Sequence, residues 1–390
     1  MNKMLNRMAF WGIMLRFRFL VRVRGYVRRF ENYLTKELRV ANGDRLICER
    51  RHAWEQVKWS NEQRKEFDKF WMDNYGRKIS PSWHRYYERF SGVFDVRYMP
   101  SNVFTPELLQ VINNYDLASF CAAKTNLSIL FDDRSEDRCV PKHYGYKIWN
   151  YYYDSERNIV SKQELAERLA DVGECVFKKA NDKQGHGFHF FNFQGGKDTL
   201  TGQSPLEAIE LAQGDFVFQE RVRQHSAYAH LSPKSLNTIR LITYICENKV
   251  YHVPMLIRFG IGNSDVDNFH AGGVAVGVSD DGFLNQTGWR TVSPAHFEPC
   301  TLNPNTGEEL GKYQLPYVDR ILDFAYKNHG RLPGIGMISW DLVVTEKGKP
   351  MIIELNVAEQ SIKFPQFVQG VPLFGDNTVK MLSLKKLYSK

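Results

Sequence analysis

The chain has 390 residues, of which 43% are hydrophobic and 14% aromatic, and its formal net charge is +8. This composition is typical of a folded protein and excludes a disordered or collagen-like chain. Residues 1–30 hold eight of the 52 Lys and Arg residues and no acid, which leaves 44 bases against 44 acids in the remainder. Such a neutral body lacks the diffuse positive surface of a general nucleic-acid-binding protein, and its length predicts two or three compact units.

The first segment, residues 1–60, is predicted to be a basic amphipathic helical segment. Apolar residues at helical spacing share one face: Leu15, Phe19, Val23, Tyr26 and Phe30. Most of the basic residues fall on roughly the opposite side: Lys3, Arg7, Arg18, Arg22 and Arg29. Such a helix can lie on an anionic membrane surface, or it can pack its apolar face on the protein's own core and leave the arginines in water. Both interpretations stay open from the sequence.

The cellular location is predicted from the cysteines and from the N-terminal residues. The six cysteines are scattered, without a CxxC pair or a zinc-type cluster, which indicates reduced thiols in a cytoplasmic protein, peripheral at the inner face of the membrane if the helix docks there. The uncharged run over residues 8–15 is too short to span a bilayer. The arginines that follow it, without a small-residue cleavage pattern, argue against a signal peptide.

A helical N-terminal subdomain is predicted for residues 61–123. The pattern indicates an amphipathic helix over residues 61–76. A second helix is expected to begin at Thr105, with Pro106 in its first turn, and to run to about Asn114 before another helix follows. These helices precede the part of the chain that is rich in strands.

From residue 124 onward, strands and glycines dominate, and we divide this part into subdomain A (124–220) and subdomain B (221–390) with a C-terminal helix. Strands are predicted over residues 175–179, 188–193, 216–220, 238–246, 250–259, 271–278, 336–344 and 351–357. Helices are predicted over residues 206–212 and 317–328. Alternating helices, strands and hairpins indicate an α+β (α/β) body of the kind found in enzymes.

The hairpin at residues 338–357 carries the most informative pattern. Side chains alternate along a strand, so Glu354 and Asn356 share one face. The apolar residues of that strand are predicted to take the other face: Ile353, Leu355 and Val357. If Lys347-Gly348 is a two-residue turn, Asp341 lies opposite Glu354.

Two facing carboxylates among apolar residues repel each other, which favours a bound cation. The oxygens of Asp341, Glu354 and Asn356 are the hard ligands that suit Mg²⁺. A polar edge that faces solvent is the alternative, and Pro350 indicates an edge strand.

A glycine-rich loop over residues 181–187 follows a predicted strand that ends in Lys178 and Lys179. An ammonium beside such a loop, with Gly185 and Gly187, can bind phosphate oxygens, although the Walker pattern is absent and a flexible hairpin tip explains the glycines equally well. About 40 residues later, the strand over 216–220 ends in polar groups that can contact an adenine edge.

The order of these elements resembles the ATP-grasp superfamily: a lysine, a second lysine with a glycine-rich loop, a hinge strand, and then Asp…Glu-x-Asn. Here Lys178 follows Lys124 by 54 residues, and Asp341 precedes Glu354 by 13. More narrowly, the chain resembles the sugar-transfer-associated ATP-grasp group over residues 60–375. The following residues carry this resemblance: Ala122-Ala123-Lys124, Leu130-Phe131, Gln224-His225, residues 232–243, Asp267-Asn268 with Gly272-Gly273, Trp340-Asp341 and residues 353–356.

The resemblance implies two α+β subdomains that enclose ATP, with a helical N-terminal extension. Lys124 and Lys178 would bind phosphates, with Lys179 as the rival of Lys178. The adenosine part would meet Gln219, Glu220, Val222, Gln224 and His225. One or two Mg²⁺ ions would be held by Asp341, Glu354 and Asn356.

Two arginines bear on the chemistry that the resemblance implies. Arg240, which follows Asn237 on a strand, can face the γ-phosphate or a substrate carboxylate. Arg258 begins a pattern similar to the branch that ligates glutamate to ribosomal protein or makes glutathione, and its further members are Asn268, His270, Gly272 and Gly273. Either arginine can instead be a structural ion pair. Many peptide-forming relatives carry an arginine where this chain has Ser339, so Arg258 or Arg240 would have to supply the donor to the oxyanion.

The resemblance therefore implies an ATP-dependent carboxylate–amine ligase that acts through an acyl phosphate, in sugar-polymer or cell-surface polysaccharide biosynthesis. Its substrates would be a small-molecule or glycan carboxylate and an amine, without nucleic acid, and its cofactors ATP and Mg²⁺. The alternatives are a kinase that phosphorylates a hydroxyl group and a nucleotide-binding module without turnover.

Overall fold

Two sheets with helices packed on them make up the body of the protein in a computed structural model, which describes residues 2–180, 188–264, 267, 272–293 and 296–388. Every strand pairing in these ranges is antiparallel. Connections between neighbouring antiparallel strands can be short, which fits the hairpins predicted from the sequence.

The first sheet contains seven strands in the described ranges. They are β1 (His143–Ile148), β2 (Tyr151–Asp154), β3 (Ile159–Val160), β4 (Gly173–Lys179), β5 (Phe188–Gln194), β6 (Lys197–Asp198) and β7 (Phe216–Glu220). Their spatial order is β3-β2-β1-β7-β4-β5-β6. One face packs Phe177 and Phe218 into an aromatic core with Leu165 and Ile209 of two helices, so the opposite face is left to carry polar side chains.

The second sheet also has seven strands within the part of the chain that is described. They are β8 (Thr238–Cys246), β9 (Lys249–Phe259), β10 (Val274–Val278), β11 (Leu284–Ser293), β12 (His296–Cys300), β13 (Met337–Val344) and β14 (Pro350–Asn356). Their spatial order is β12-β11-β10-β9-β8-β13-β14. The strand that begins with Pro350 lies at the edge, as predicted, because proline has no N–H for a further partner.

Helices surround both sheets. They are α1 (Asn2–Cys48), α2 (Arg51–Trp54), α3 (Asn61–Tyr75), α4 (Ser82–Ser91), α5 (Ser101–Val103), α6 (Leu109–Ile112), α7 (Tyr115–Ala122), α8 (Leu127–Phe131), α9 (Lys162–Leu169), α10 (Pro205–Leu211), α11 (Ser226–Ala229), α12 (Val318–His329), α13 (Lys363–Gln369) and α14 (Thr378–Tyr388). Helix α3 confirms the prediction for residues 61–76. Its first turn is closed by a capping box between Ser60 and Gln63, and Gly76 ends it in the left-handed conformation.

The predicted helix start at Thr105 was wrong. The helical run begins at Ser101, directly after Pro100. Pro106 lies inside the run, in a π-helical turn over Phe104–Leu108. The wider turn accommodates a residue that has no N–H and whose ring would meet the carbonyl of the preceding turn in an α-helix.

The core of the second sheet lies between its strands and helices α8 and α12. Trp340, Leu342 and Ile352 of the central and edge strands pack there against Phe131 and Ile321. All eight residues of β13 are buried, because the core covers one face of this strand while helices and polar side chains cover the other. The strand therefore holds its polar residues in a fixed, water-poor position.

Helix α1 has two distinct parts. Its C-terminal part packs on the body: Ile47 is buried, and a Cβ atom on Gly43 would come within 2.8 Å of the Cβ atom of Asn102. The predicted apolar face is helical, but its side chains from Leu15 to Phe30 are exposed and do not pack on the body. Among the described helices, none has both the length and the apolar character needed to cross a bilayer. All six cysteines are free thiols, as predicted.

Candidate active site

A cavity of about 910 Å³ lies between the two sheets. Its size is near the upper end of the range for small-molecule sites, which leaves room for more than one ligand. The structure brings many of the predicted site residues to its wall: Lys124, Lys178, Lys179, Glu220, Val222, Gln224, Arg240, Arg258, Asp341, Glu354 and Asn356. Lysines from the first half of the fold thus face carboxylates of the second sheet.

Three predicted residues make structural hydrogen bonds and are not part of the described cavity wall. The Gln219 amide nitrogen lies 2.8 Å from Nε2 of His143. The His225 ring accepts a hydrogen bond from the Ala227 N–H at the start of α11. Asn237 donates to two backbone carbonyls at 2.7 and 3.0 Å. These contacts order the strand ends, so their predicted roles in binding gain no support.

The remaining predicted site residues lie in two segments between strands. Gly185, Gly187, Asn268 and His270 lie outside the described residues. Gly272 and Gly273 are described, and they precede β10 without lining the cavity.

The acidic hairpin has the predicted pairing, but not the predicted turn. Asp341 lies opposite Glu354. Nearer the turn, Leu342 pairs with Ile352, so the edge strand has one extra residue between the two pairs. The N–H of Thr345 bonds the carbonyl of Lys349, which makes the connection one residue longer than the predicted Lys347-Gly348 turn. The longer turn shifts the strand pairing by one residue and the bulge shifts it back, so Asp341 still lies opposite Glu354.

The bulge changes which apolar residue faces the core. Ile352 packs in the core, whereas Ile353 is partly buried and lines the cavity. The prediction that Ile353 takes the core face was therefore wrong, because a bulge shifts the alternation of side chains by one residue. Leu355 and Val357 take the core face as predicted.

Two arginines hold Asp341 on the floor of the cavity. Arg240 is its direct neighbour on β8, and its Nε and Nη2 atoms donate to the two carboxylate oxygens, the second at 2.9 Å. Arg258 of β9 reaches Oδ2 at 3.2 Å. Burial opposes the charge of Asp341, but the two guanidinium groups outweigh it and hold its pKa below the usual value. Asp341 is therefore ionised in a water-poor position.

The other two predicted metal ligands lie beside it. Glu354 forms an ion pair with Lys124, whose Nζ atom lies 3.2 Å from Oε1 of the carboxylate. The Asn356 amide nitrogen lies 3.3 Å from Oδ2 of Asp341, which leaves its amide oxygen as the atom that a cation would take. Asp341, Glu354 and Asn356 thus provide an all-oxygen donor set that suits a hard cation. In the described part of the chain, no group of three His, Cys, Asp or Glu residues could hold a metal ion.

Lys178 and Lys179 lie on opposite faces of β4. Lys178 shares its face with Val176, which lines the cavity, and Lys179 shares its face with Phe177 of the aromatic core. Burial and the neighbouring Lys124 lower the pKa of Lys178 to about 8, against the opposing effect of nearby carboxylates. Lys178 therefore belongs to the charged cluster.

The structure adds Asp267, which sequence reasoning did not assign to the site. Its carboxylate accepts hydrogen bonds from the Thr238 N–H and hydroxyl and lies 3.6 Å from Arg258. Burial raises the pKa of Asp267, although Arg258 opposes that effect. Its position directly before Asn268, in a segment that carried the resemblance, was the signal in the sequence. Asp267 completes a cluster of four cations (Lys124, Lys178, Arg240 and Arg258) and three carboxylates (Asp267, Asp341 and Glu354).

The lowered pKa of Lys178 predicts how nucleotide affinity depends on pH. The ammonium is charged below about pH 8 and loses its proton above it. Phosphate oxygens need the charged form, so ADP affinity should change little near pH 7, where Lys178 is charged, and fall by up to about tenfold per pH unit well above pH 8. Calorimetric titration without divalent cations measures this. Lys178→Arg should flatten the profile, because guanidinium stays protonated; an equally steep profile in that variant would assign the titration to another group.

Comparison with known protein families shows to which of them the chain belongs. Residues 113–380 match the model of the family described as sugar-transfer associated ATP-grasp, which is more than half of the chain. The chain belongs to this ATP-grasp family. The fold class predicted from the sequence is thereby confirmed, with two antiparallel sheets and a helical N-terminal region. No curated protein sequence matches the chain.

Several solved structures are similar to the chain at low identity. An N5-carboxyaminoimidazole synthase from Aspergillus clavatus has a TM-score of 0.34 at 10% identity, over 64% of this chain and 48% of its own. The biotin carboxylase domain of the Hydrogenobacter thermophilus 2-oxoglutarate carboxylase has a TM-score of 0.39 at 11% identity, over 71% and 48%. A D-alanine–D-alanine ligase from Bacillus anthracis has a TM-score of 0.36 at 12% identity, over 70% and 69%. This chain thus spans about half the length of the first two.

Proposed function

We propose that this ATP-grasp protein is a ligase that binds ATP with Mg²⁺ and joins a carboxylate to an amine through an acyl phosphate. The observation that carries the proposal is the single cavity in which Lys124 and Lys178 face Asp341, Glu354 and Asn356. The family assignment supports the nucleotide, and the size of the cavity allows a second substrate beside it.

The cluster is arranged to exchange partners when nucleotide binds. Four cations meet three carboxylates, so the protein's own charges are close to balance before the anionic substrate arrives. Lys124 would leave Glu354 for phosphate oxygens, and Lys178 would join it there. Asp341, Glu354 and Asn356 would hold Mg²⁺, which supplies neutralisation of phosphate charge when bound.

In the proposed reaction, a substrate carboxylate oxygen attacks the γ-phosphorus and ADP leaves. The amine then attacks the acyl carbon and inorganic phosphate leaves, while the nitrogen gives up a proton. The protein would contribute orientation and positive charge, rather than a covalent nucleophile. Arg240 and Arg258 are the residues we assign to the carboxylate and to the oxyanion.

Ser339 supports this assignment of the arginines. Its side chain is fully buried and donates a hydrogen bond to Gln360 at 2.8 Å, so it does not line the cavity. The donor that many peptide-forming relatives carry at this position must therefore come from elsewhere. Two arginines of the second sheet are the candidate sources: Arg240, beside Asp341 on the neighbouring strand β8, and Arg258 of β9, which reaches Asp341 at 3.2 Å.

The proposal also has three narrower parts: the biological role, the segment boundaries and the substrate contacts. The family's description supports a role in sugar-polymer or cell-surface polysaccharide biosynthesis, with a glycan or small-molecule carboxylate as the acceptor. The division into segments 1–60, 61–123, 124–220 and 221–390 stays a proposal. So do the substrate contacts assigned to the segment between Asn268 and Gly273.

Product analysis tests the ligase proposal directly. The protein is incubated with Mg²⁺-ATP, a panel of sugar and amino-acid carboxylates, and hydroxylamine as the trapping amine. Formation of a hydroxamate with stoichiometric phosphate release is the expected result. A stable phosphorylated product without free phosphate would favour the kinase alternative and contradict the ligase. Nucleotide binding without turnover on the full panel would favour the binding module.

A further inference from the structure

Every residue of α1 from position 15 to position 38 is exposed. This stretch, which we call the exposed segment, is rich in large apolar side chains. Their exposed fractions run from 39% to 70% for Leu15, Phe17, Phe19, Leu20, Val21, Val23, Tyr26, Val27, Phe30, Tyr33, Leu34 and Leu38. Monomeric proteins rarely expose a contiguous apolar surface of this size without a partner for it.

The side chains of the exposed segment are segregated around the helix. At 100° per residue, most of its large apolar residues fall within an arc of about 140°. Arg18, Arg22 and Arg29 lie beyond one edge of this arc, and Arg24 and Arg28 lie beyond the other. Arg16 and Glu37 are the two charged residues that fall within it. A wide apolar face with arginines on both flanks is typical of a helix that lies in the plane of a lipid interface.

Contacts at and beyond its C-terminal end anchor the exposed segment to the body. Lys36, near the end of the segment, forms an ion pair with buried Glu107 at 3.5 Å, and Asp44, beyond it, accepts a hydrogen bond from Asn102 at 2.7 Å. These contacts and buried Ile47 fix the direction in which the helix leaves the body. The apolar face is therefore presented outward by a rigid base.

We propose that the exposed segment is a docking surface for an anionic membrane. The arginines would contact lipid phosphates, and the apolar arc would enter the boundary between head groups and acyl chains. Charge argues against one rival partner, and the apolar arc argues against another. Pairing with a second copy would bring arginine rows together, and the exposed segment holds only two acids, Glu31 and Glu37, to offset them. Binding to nucleic acid would use the arginines but leave the apolar arc in water.

Helix α7 meets α1 on the side away from the apolar arc. The guanidinium of Arg39, which follows the exposed segment and lies nearly opposite the centre of the arc, is 5.6 Å from the centre of the Tyr115 ring. Tyr115 lines the cavity, and together with Leu117 and Phe120 it exposes apolar surface on α7. The apolar arc thus faces away from the cavity wall that α7 forms, and docking does not rest on the proposed function.

Vesicle flotation of the full chain tests docking independently of any enzymatic activity. Vesicles of phosphatidylglycerol with phosphatidylcholine should bind the wild-type protein, and vesicles of phosphatidylcholine alone should bind it much more weakly. Two variants probe the two faces: R18E/R22E/R29E and F19S/Y26S/F30S. Each should bind the anionic vesicles on the order of 100-fold more weakly. A control that reverses three exposed lysines of the body, K65E/K197E/K327E, should bind as the wild type does.

Each other outcome overturns the proposal. Equal binding of wild type and either variant would show that the segment is not the docking surface. Loss of duplex-oligonucleotide binding in the arginine variant alone, with no vesicle binding by the wild type, would identify a nucleic-acid partner. A fall in sedimentation mass in the apolar variant alone would identify a second copy. Circular dichroism and ADP titration of every variant establish that the helix and the cavity are intact, and retained docking without ligation would refute only the proposed function.

Discussion

Lys178→Met should reduce kcat/KM for ATP by about 10²–10³-fold, while Lys179→Met should change it little. Lys178 lies on the cavity side of β4 with Val176. The charges of Lys124, Glu354 and Asp341 act on its pKa. Removal of one preorganised cation that faces developing charge costs about this factor in other enzymes. Lys179 also reaches the cavity wall, but it shares its face of β4 with the aromatic core and is not among the charges that act on Lys178, so its loss should leave the charged cluster in place.

A steady-state assay of phosphate release, together with thermal melting of the two variants, makes the comparison. The lowered pKa of Lys178 means that its charge is disfavoured in the folded state. At neutral pH, the charged Lys178 side chain therefore lowers the stability of the folded state. Because Lys178→Met removes this charge, the variant should melt at the same temperature as the wild type or higher. Lost activity with retained stability is the signature of a phosphate contact. Equal loss in the two variants, or a large loss only in Lys179→Met, would contradict the assignment.

The hairpin at residues 338–357 explains how much of the site could be read from the sequence. The pairing of Asp341 with Glu354 was correct, although the turn was assigned one residue too short. The bulge at Ile353 restored the predicted register. Alternation along strands is a strong signal because one face is buried, but a bulge leaves no mark in composition. The carboxylate pair was thus predictable and the role of Ile353 was not.

The cation that the paired carboxylates require was only partly predictable. The sequence indicated that Asp341 and Glu354 needed positive charge nearby, and it placed Arg240 on a strand; only the structure puts that strand beside Asp341. Only the three-dimensional structure brings Lys124, from a different part of the chain, to Glu354. Asp267 was missed for the same reason, since its contact with Arg258 depends on how a loop meets the sheet. Local patterns predict neighbours along strands better than contacts between distant segments.

The exposed segment of α1 shows a different limit of prediction from the sequence. Periodicity predicted the helix and its apolar face, but the same pattern is expected of a helix packed on a core and of one that awaits a partner. The structure distinguishes these alternatives, because the helix packs closely on the body at Gly43 and Ile47, whereas residues 15–38 are exposed. Helix existence is a local property, whereas the partner of its apolar face is not.

Asp341→Asn should lower turnover by about 10³-fold and remove the strengthening of ATP binding by Mg²⁺. The carboxylate supplies the ionised oxygens of the donor set, and the amide that replaces it carries no charge. The variant should also be destabilised by about 3 kcal/mol, because Arg240 and Arg258 lose a buried partner. ATP titrations with and without Mg²⁺, combined with denaturant unfolding, measure both effects.

Asp267→Asn is the matched control, because Asp267 also pairs with Arg258 but lies outside the proposed metal-ligand set. It should cost little stability, because burial raises the pKa of Asp267 and its ionised form is therefore disfavoured in the folded state. It should also keep the dependence of ATP binding on Mg²⁺. If both variants keep that dependence, Asp341 serves to hold the arginines and the metal assignment is wrong. If only Asp341→Asn loses it, the two roles separate: Asp267 positions Arg258, and Asp341 carries the cation.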